Sequence, residues 1–150
     1  MENAVKALYI AAGVLIGVMI LSIGVALFTS LQNYVNSSQE QVEFNELNSF
    51  NTQFTKYIND NLTIQDIVTA AGRAYESNSS YNPDPNQWVE SESSLYVSVY
   101  LNGTRIDKTI KENMVDLLEA NLGNAYKCEA NNISYSNETA RVYRVEFVDQ

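Results

Sequence analysis

The chain of 150 residues has no histidine, a single cysteine and a shortage of positive charge. Without histidine it lacks the commonest general base and metal ligand. The one cysteine, Cys128, excludes an intramolecular disulfide and a multi-cysteine metal site. Nine basic residues stand against eighteen acidic ones, a formal net charge of −9. This balance argues against a basic face for nucleic acid, so we expect no nucleic-acid partner.

The sequence also lacks a recognisable catalytic or cofactor motif. No histidine is available to activate a serine or Cys128. No acidic run has EF-hand spacing, and the six glycines are too scattered for a phosphate-binding loop. The pattern around Cys128 favours a small buried hydrophobe over a reactive thiol. We expect no enzymatic activity, metal or cofactor, because the carboxylates are dispersed as on a solvated surface: Glu90, Glu92, Asp107, Glu112, Asp116 and Glu119.

Against these absences stands one long apolar run, Ala7–Leu31, which contains no charged residue. As a helix it would be roughly 38 Å long, against a hydrocarbon thickness of about 30 Å. A helix that is apolar all round sits in lipid or is covered by protein. The run is longer than the apolar part of a signal peptide, so we expect it, and Met1, to be retained. Lys6 favours a cytoplasmic N-terminus and an exported C-terminal region.

The apolar run contains several small residues. Gly13 and Gly17 form a G-x-x-x-G pair, and Gly24 lies one heptad beyond Gly17, near the same face. Small residues let helix backbones approach closely, which predicts helix–helix packing along this face. The alternative is that membrane helices simply tolerate glycine.

The helical pattern continues past the apolar run. Neither proline nor glycine interrupts it, and no basic residue follows before Lys56. We predict one helix from about Asn3 to Asn59, whose first half is apolar and whose second half is amphipathic. The second half carries an apolar stripe at 3-4-3 spacing that would support a folded head: Leu47, Phe50, Phe54 and Tyr57.

The opening MENAVKALYIAAGVLI and the long helix behind it resemble the pilin-like subunits of type IV filaments and archaeal-type flagella. They are also similar to short pilin-like proteins of Gram-positive bacteria. The resemblance covers about the first 60 residues. It implies a helix held in the membrane before assembly, machinery in that membrane, and a filament core made from copies of the helix. The prepilin processing signature, a glycine before the mature start and a glutamate five residues into it, is absent.

Glu2 has two interpretations. A carboxylate at the start of an apolar helix interacts favourably with the helix dipole. It could pair with the α-amine of a neighbouring subunit. Because burying the carboxylate unpaired costs several kcal/mol, only the correct axial alignment of the two helices would then be favourable. The alternative is a local pair with Lys6 at i,i+4, worth a few tenths of a kcal/mol.

We divide the chain into an assembly helix, residues 1–60, and an exposed head, residues 61–150. The sequence predicts a turn at Asn59–Asn61 and an exposed loop over residues 77–94. Within that loop, Trp88 is predicted to pack back against the core. Asn102-Gly103 is a hairpin signal. The head is then α+β, with three or four antiparallel strands and one or two helices: strands 95–101, 104–106, 126–130 and 141–148, and helices 64–76 and 110–121.

Asparagine, serine and threonine are frequent enough to produce Asn-x-Ser/Thr triplets by chance. Such triplets permit glycosylation where the host has the machinery, and they establish nothing more. They occur at Asn36, Asn61, Asn78, Asn102, Asn132 and Asn137.

These observations predict a structural protein, the repeating subunit of an extracellular helical filament on the cell surface. The subunit would lie in the cytoplasmic membrane before assembly and then polymerise with copies of itself through Ala7–Leu31. The alternative is a single-pass membrane protein with an exported binding or sensing head.

Overall fold

The computed structural model describes all 150 residues and divides the chain into two compact units, Met1–Asn45 and Glu46–Gln150. A single helix, α1 (Glu2–Thr55), supplies the first unit and begins the second. It ends at Thr55 rather than near Asn59, because Lys56 and Tyr57 form a turn that leads into the strand beginning at Asn59. The second unit begins at Glu46, within the predicted assembly segment, since the last turns of α1 belong to its core.

The second unit is the α+β head that the sequence predicts. Its two helices, α2 and α3, begin at residues 64 and 110 as expected. Two short 3-10 turns lie at Pro85–Gln87 and Ala130–Asn132. The elements are β1 (Asn59–Leu62), α2 (Ile64–Tyr81), β2 (Ser98–Leu101), β3 (Thr104–Arg105), α3 (Ile110–Ala120), β4 (Tyr126–Cys128), β5 (Ile133–Tyr135) and β6 (Val142–Asp149).

The sheet is mixed and has six strands, not three or four that are all antiparallel. Strand β6 is central: β4 and β5 pair with it antiparallel, while β2 pairs with it parallel. The alternation of apolar residues specifies which face is buried but not strand direction. Because a hairpin, α3 and two further strands separate β2 from β6, the chain can return in the parallel sense.

The predicted turn at Asn59–Asn61 is a strand instead. Asn59 pairs with Cys128 and Leu62 with Tyr126, so β1 adds an edge to β4. Leu62 is buried at the end of this strand. Pairing and burial outweigh the turn preference of Asn and Asp, which is a local tendency only.

The hairpin predicted at Asn102-Gly103 is confirmed, and it joins β2 to β3. Both residues have positive φ, 49° and 79°, as a two-residue type I′ turn requires. The Asn102 side chain also bonds to Asp149 at the end of β6: its Nδ2 donates to Oδ1 and its Oδ1 accepts from the Asp149 amide. The turn is thereby tied to the central strand.

The stripe on α1 supports the head as predicted. Phe54 is fully buried, Tyr57 just beyond the helix is 5% exposed, and Phe50 packs against the same core. Leu47, at the start of the stripe, is half-buried. The Tyr57 ring meets Phe147 of the central strand edge to face, with centroids 6.1 Å apart. The end of α1 is therefore part of the head's core.

Asn51 adds a polar connection between α1 and the start of β6. Its Nδ2 donates to the Ala140 carbonyl at 2.8 Å, and its Oδ1 accepts from the Val142 amide at 2.9 Å. Ala140 has φ 55°, a left-handed conformation uncommon for a residue with a side chain. One side chain thus bonds the backbone on both sides of Arg141 and holds the chain in this bend.

Two residues assigned to the surface or to a loop are buried. Asp107, expected on a solvated surface, is fully buried and accepts from the Val99 amide and from the Arg105 guanidinium at 2.8 and 2.9 Å. Asn78 is also buried, and its amide exchanges hydrogen bonds with the backbone of Val97. This contact lets α2 continue to Tyr81 through a Ser/Asn run that the sequence marks as loop.

The predicted burial of Trp88 is confirmed. The indole is 0% exposed, and its Nε1 donates to the Asn82 carbonyl at 2.8 Å. Its ring lies against Tyr75 and Tyr96, with centroids 5.2 and 6.4 Å away. The chain's single tryptophan therefore reports on the folded state of the head.

Asn51→Ala should destabilise the head, because it leaves the Ala140 carbonyl and the Val142 amide without their partner. We expect a loss of about 1–3 kcal/mol in the free energy of unfolding. The measurement is urea unfolding of the full chain in detergent, followed by Trp88 fluorescence. Asn48→Ala, at an exposed position one turn earlier, is the control and should change stability little. Equal midpoints for the two variants would contradict this account of Asn51.

Candidate assembly surface

The apolar side chains of the first unit are exposed. From Ala7 to Leu31 every residue is exposed except Gly17, which is half-buried. Leu8 is 72% exposed and Phe28 is 63% exposed. The most apolar 18-residue window has a mean hydropathy of 2.6, and none of it is buried. By length and composition this is one helix able to cross a membrane.

Three hydroxyl side chains of the apolar segment are satisfied within the helix. The hydroxyls of Ser22, Thr29 and Ser30 donate to the carbonyls four residues earlier, at 2.7, 3.0 and 2.9 Å. Such bonding removes the cost of placing a hydroxyl in an apolar environment. These hydrogen bonds could have been predicted from the sequence, because a Ser or Thr hydroxyl in a helix can reach the carbonyl four residues earlier. Apart from the exposed Tyr9 hydroxyl, the segment therefore presents apolar contacts and small gaps.

No contact within the chain accounts for the glycines of this helix. A Cβ added at Gly13, Gly17 or Gly24 would meet nothing within 4 Å. Alanine would favour the helix by about 1 kcal/mol per position in an isolated helix. If these glycines serve packing, the packing partner is another molecule.

Glu2 forms the local i,i+4 ion pair with Lys6, which is one of the two interpretations given above. Lys6 Nζ lies 3.2 Å from Glu2 Oε1, and both side chains are largely exposed. A pair of this kind adds a few tenths of a kcal/mol to a helix. Exchange of this partner for the α-amine of a neighbouring copy stays a prediction.

Beyond Leu31 the first unit keeps exposed apolar residues among its polar ones. Tyr34, Val35 and Val42 are 72%, 50% and 55% exposed. They line one shallow concavity of about 400 Å³ on the helix, together with Glu43. Neither Glu40 nor Glu43 forms an ion pair.

The glycosylation triplets differ in accessibility. Asn78 cannot carry a glycan in this fold, because its side chain is fully buried and bonded to β2. Asn132 is half-buried, and its Oδ1 accepts from the Glu129 amide. The other four are exposed: Asn36, Asn61, Asn102 and Asn137.

A cluster of charged and tyrosine side chains on the head is held together by hydrogen bonds around Arg144. Arg144 on β6 donates to Glu90 and to Glu146, each at 3.1 Å, and lies 4.3 Å from the Tyr100 ring centroid. The Tyr100 hydroxyl donates to Glu90. Burial acts to raise the pKa of Glu90, but hydrogen bonds from Tyr100 and Arg144 outweigh it, so that pKa lies below its ordinary value. Burial and the Glu90 carboxylate raise the pKa of Tyr100.

The cysteine is buried as the alternation of its strand predicts. Cys128 is 1% exposed, and burial raises the pKa of its thiol to about 11. A thiol of this kind stays protonated at neutral pH and is a poor nucleophile. No group of three or more acidic or cysteine side chains is arranged to hold a metal ion.

The chain has no significant match among protein-family models, curated protein sequences or solved structures. The argument for function therefore depends on the exposed apolar helix and on the head that continues from it.

Glu90→Gln should destabilise the head in a pH-dependent way. Because the pKa of Glu90 is lower in the folded chain, its charge stabilises the fold above the ordinary value of 4.5. That contribution is lost as the pH falls through the folded pKa. Urea midpoints from Trp88 fluorescence should therefore differ between variant and parent at pH 7 and converge below pH 4.5. Glu119→Gln, an exposed carboxylate outside any ion pair, is the control. A difference that stays constant with pH would refute this role.

Proposed function

We propose that the chain is the structural subunit of a helical filament on the cell surface, polymerised through its N-terminal apolar helix. The observation that supports the proposal best is the exposed segment Ala7–Leu31, in which no close contact within the chain requires the three glycines. A second copy of the same helix would cover the apolar side chains and use the gaps at the glycines. One subunit added repeatedly in a head-to-tail manner gives an open filament.

The physical step is transfer of the helix from lipid to a core made of its copies. Lipid tails are about as apolar as leucine, so leaving the bilayer for protein costs far less than entering water. Close van der Waals contact at Gly13, Gly17 and Gly24 would offset the remainder. The membrane holds the subunit before assembly, and membrane machinery carries out the extraction. In the filament the acidic heads face water, where like charges keep the surface solvated.

A second candidate is a single-pass membrane protein with an exported binding or sensing head. The length of Ala7–Leu31 suffices for one bilayer crossing, which fits this candidate as well as the filament subunit before assembly. In that case the helix stays in lipid, and its glycines are tolerated without serving packing.

Shearing of cells that express the full chain separates the two candidates. The filament proposal predicts fibres in the sheared supernatant that contain this chain, seen by electron microscopy with an antibody to the head. A chain found only in the detergent-soluble membrane, and as a monomer, would overturn it in favour of the second candidate.

Larger side chains at Gly17 should block filament formation in proportion to their size. Gly17→Ala should lower the yield of sheared fibres modestly, and Gly17→Leu should abolish it, because a bulky side chain keeps neighbouring backbones apart. Membrane insertion should be unchanged, since both replacements are apolar. The measurement is the ratio of sheared to membrane-bound chain. Normal fibre yield from Gly17→Leu would rule out close packing at this glycine.

Glu2→Ala should reduce assembly while leaving membrane insertion intact, if the carboxylate pairs with a neighbouring α-amine in the filament. The control is Lys6→Ala, which removes only the local pair and should assemble nearly normally. Filaments from Glu2→Ala at the parent's yield would leave the local pair as the only role of Glu2.

A further inference from the structure

The head contains one open groove whose lining is partly apolar and partly basic. It has a volume of about 730 Å³ and is bordered by Phe50 of α1, Val68, Gly72 and Arg73 of α2, and Met114 of α3. Met114 is 44% exposed although it lies on the helix face predicted to be apolar. A Cβ at Gly72 would meet nothing within 4 Å. The groove can therefore receive side chains from outside.

Two arginines lie at this groove in an otherwise acidic chain. Arg73 lines it and forms no ion pair. The Arg141 guanidinium lies 3.7 Å from the ring centroid of Phe50, donates to Ser77 Oγ and has no carboxylate partner. Glu76, which also lines the groove, offsets part of this charge.

A matching surface lies on α1 of the first unit. Val35 and Val42 are exposed on one helix face, with Glu43 beside them. No basic residue occurs between Lys6 and Lys56, so the carboxylate of Glu43 has no cation in its own part of the helix. The face is apolar at its centre and acidic at its edge, whereas the groove is apolar at its centre and carries an arginine.

We propose that this groove binds the helical segment Tyr34–Glu43 of a second copy of the chain, with Glu43 against Arg73 and Val42 over Gly72. The proposal rests on the proposed filament and specifies a contact between heads and neighbouring helices outside the apolar core. Charge complementarity fixes the register of the two copies, because a like-charged pair at this position would repel. The open space at Gly72 lets the incoming helix come close.

Charge exchange tests the pair. Arg73→Glu and Glu43→Arg should each lower the yield of sheared fibres about tenfold, and the double variant should restore most of it. Glu40→Arg makes the same charge change one turn before Glu43, about 160° around the helix from Val42, and serves as the control. Trp88 fluorescence checks that each head is folded. Two single variants that assemble like Glu40→Arg would overturn the proposal, as would a double variant no better than either single one.

Disulfide trapping tests the geometry and does not depend on charge. Two full chains with different tags, one with Val42→Cys and one with Gly72→Cys, are expressed together and oxidised on the cell surface. A disulfide needs Cα atoms about 4.4–6.8 Å apart, so only a contact between copies gives the mixed dimer. Ser37→Cys replaces Val42→Cys as the control, because it points away from the same face. The buried Cys128 adds little background.

The outcomes separate this proposal from the filament itself. Fibres with a mixed dimer well above the Ser37→Cys control support both. Fibres without that excess overturn the groove contact and leave the filament standing. A parent chain that forms no fibres overturns the filament and the groove contact together.

Discussion

An apolar helix that nothing in its own unit covers is the constraint on which this protein depends. Ala7–Leu31 exposes side chains that water cannot solvate without large cost: at about 25 cal/mol per Å², burying one leucine is worth roughly 2 kcal/mol. Lipid or other protein must cover them. The hydroxyls of Ser22, Thr29 and Ser30 are already bonded within the helix, so they are acceptable in either environment. If copies of the helix cover this segment, the glycines would let their backbones approach closely.

The same helix that carries the apolar segment supplies part of the head's core. Phe54 is fully buried there, and Asn51 holds the bend that leads into β6. Around this start the head contains two buried polar contacts whose groups are hydrogen-bonded, Asp107 with Arg105 and Asn78 with the Val97 backbone. A buried charge is tolerated only when it is paired and bonded in this way. Asp107, the buried charged residue of the head, is paired in this way, whereas many of the head's other charged residues form no ion pair.

Periodicity predicted the helices and most strands but not β1 or β5, and burial of polar residues produced further errors. The 3-4-3 stripe on α1, the helix at Ile110 and the turn at Asn102-Gly103 follow from local chemistry, and the structure has all three. Asn78 looks like a surface residue because its partner, the Val97 backbone, is adjacent only after folding. Arg105 is two residues from Asp107 in the sequence, but the burial of this pair and its bond to the Val99 amide follow only from the fold. The parallel pairing of β2 with β6 is likewise a property of the whole chain path. The groove beside Arg73 combines three separate helices and has no signal in the sequence.

The central claim is that copies of the N-terminal helix cover one another. Helical reconstruction of sheared fibres by electron cryo-microscopy tests it most directly. The account predicts apolar helices packed around the fibre axis, with axes about 8 Å apart where Gly17 meets a neighbour. A map with Ala7–Leu31 surrounded only by lipid, or with no neighbouring copy against it, would contradict the account.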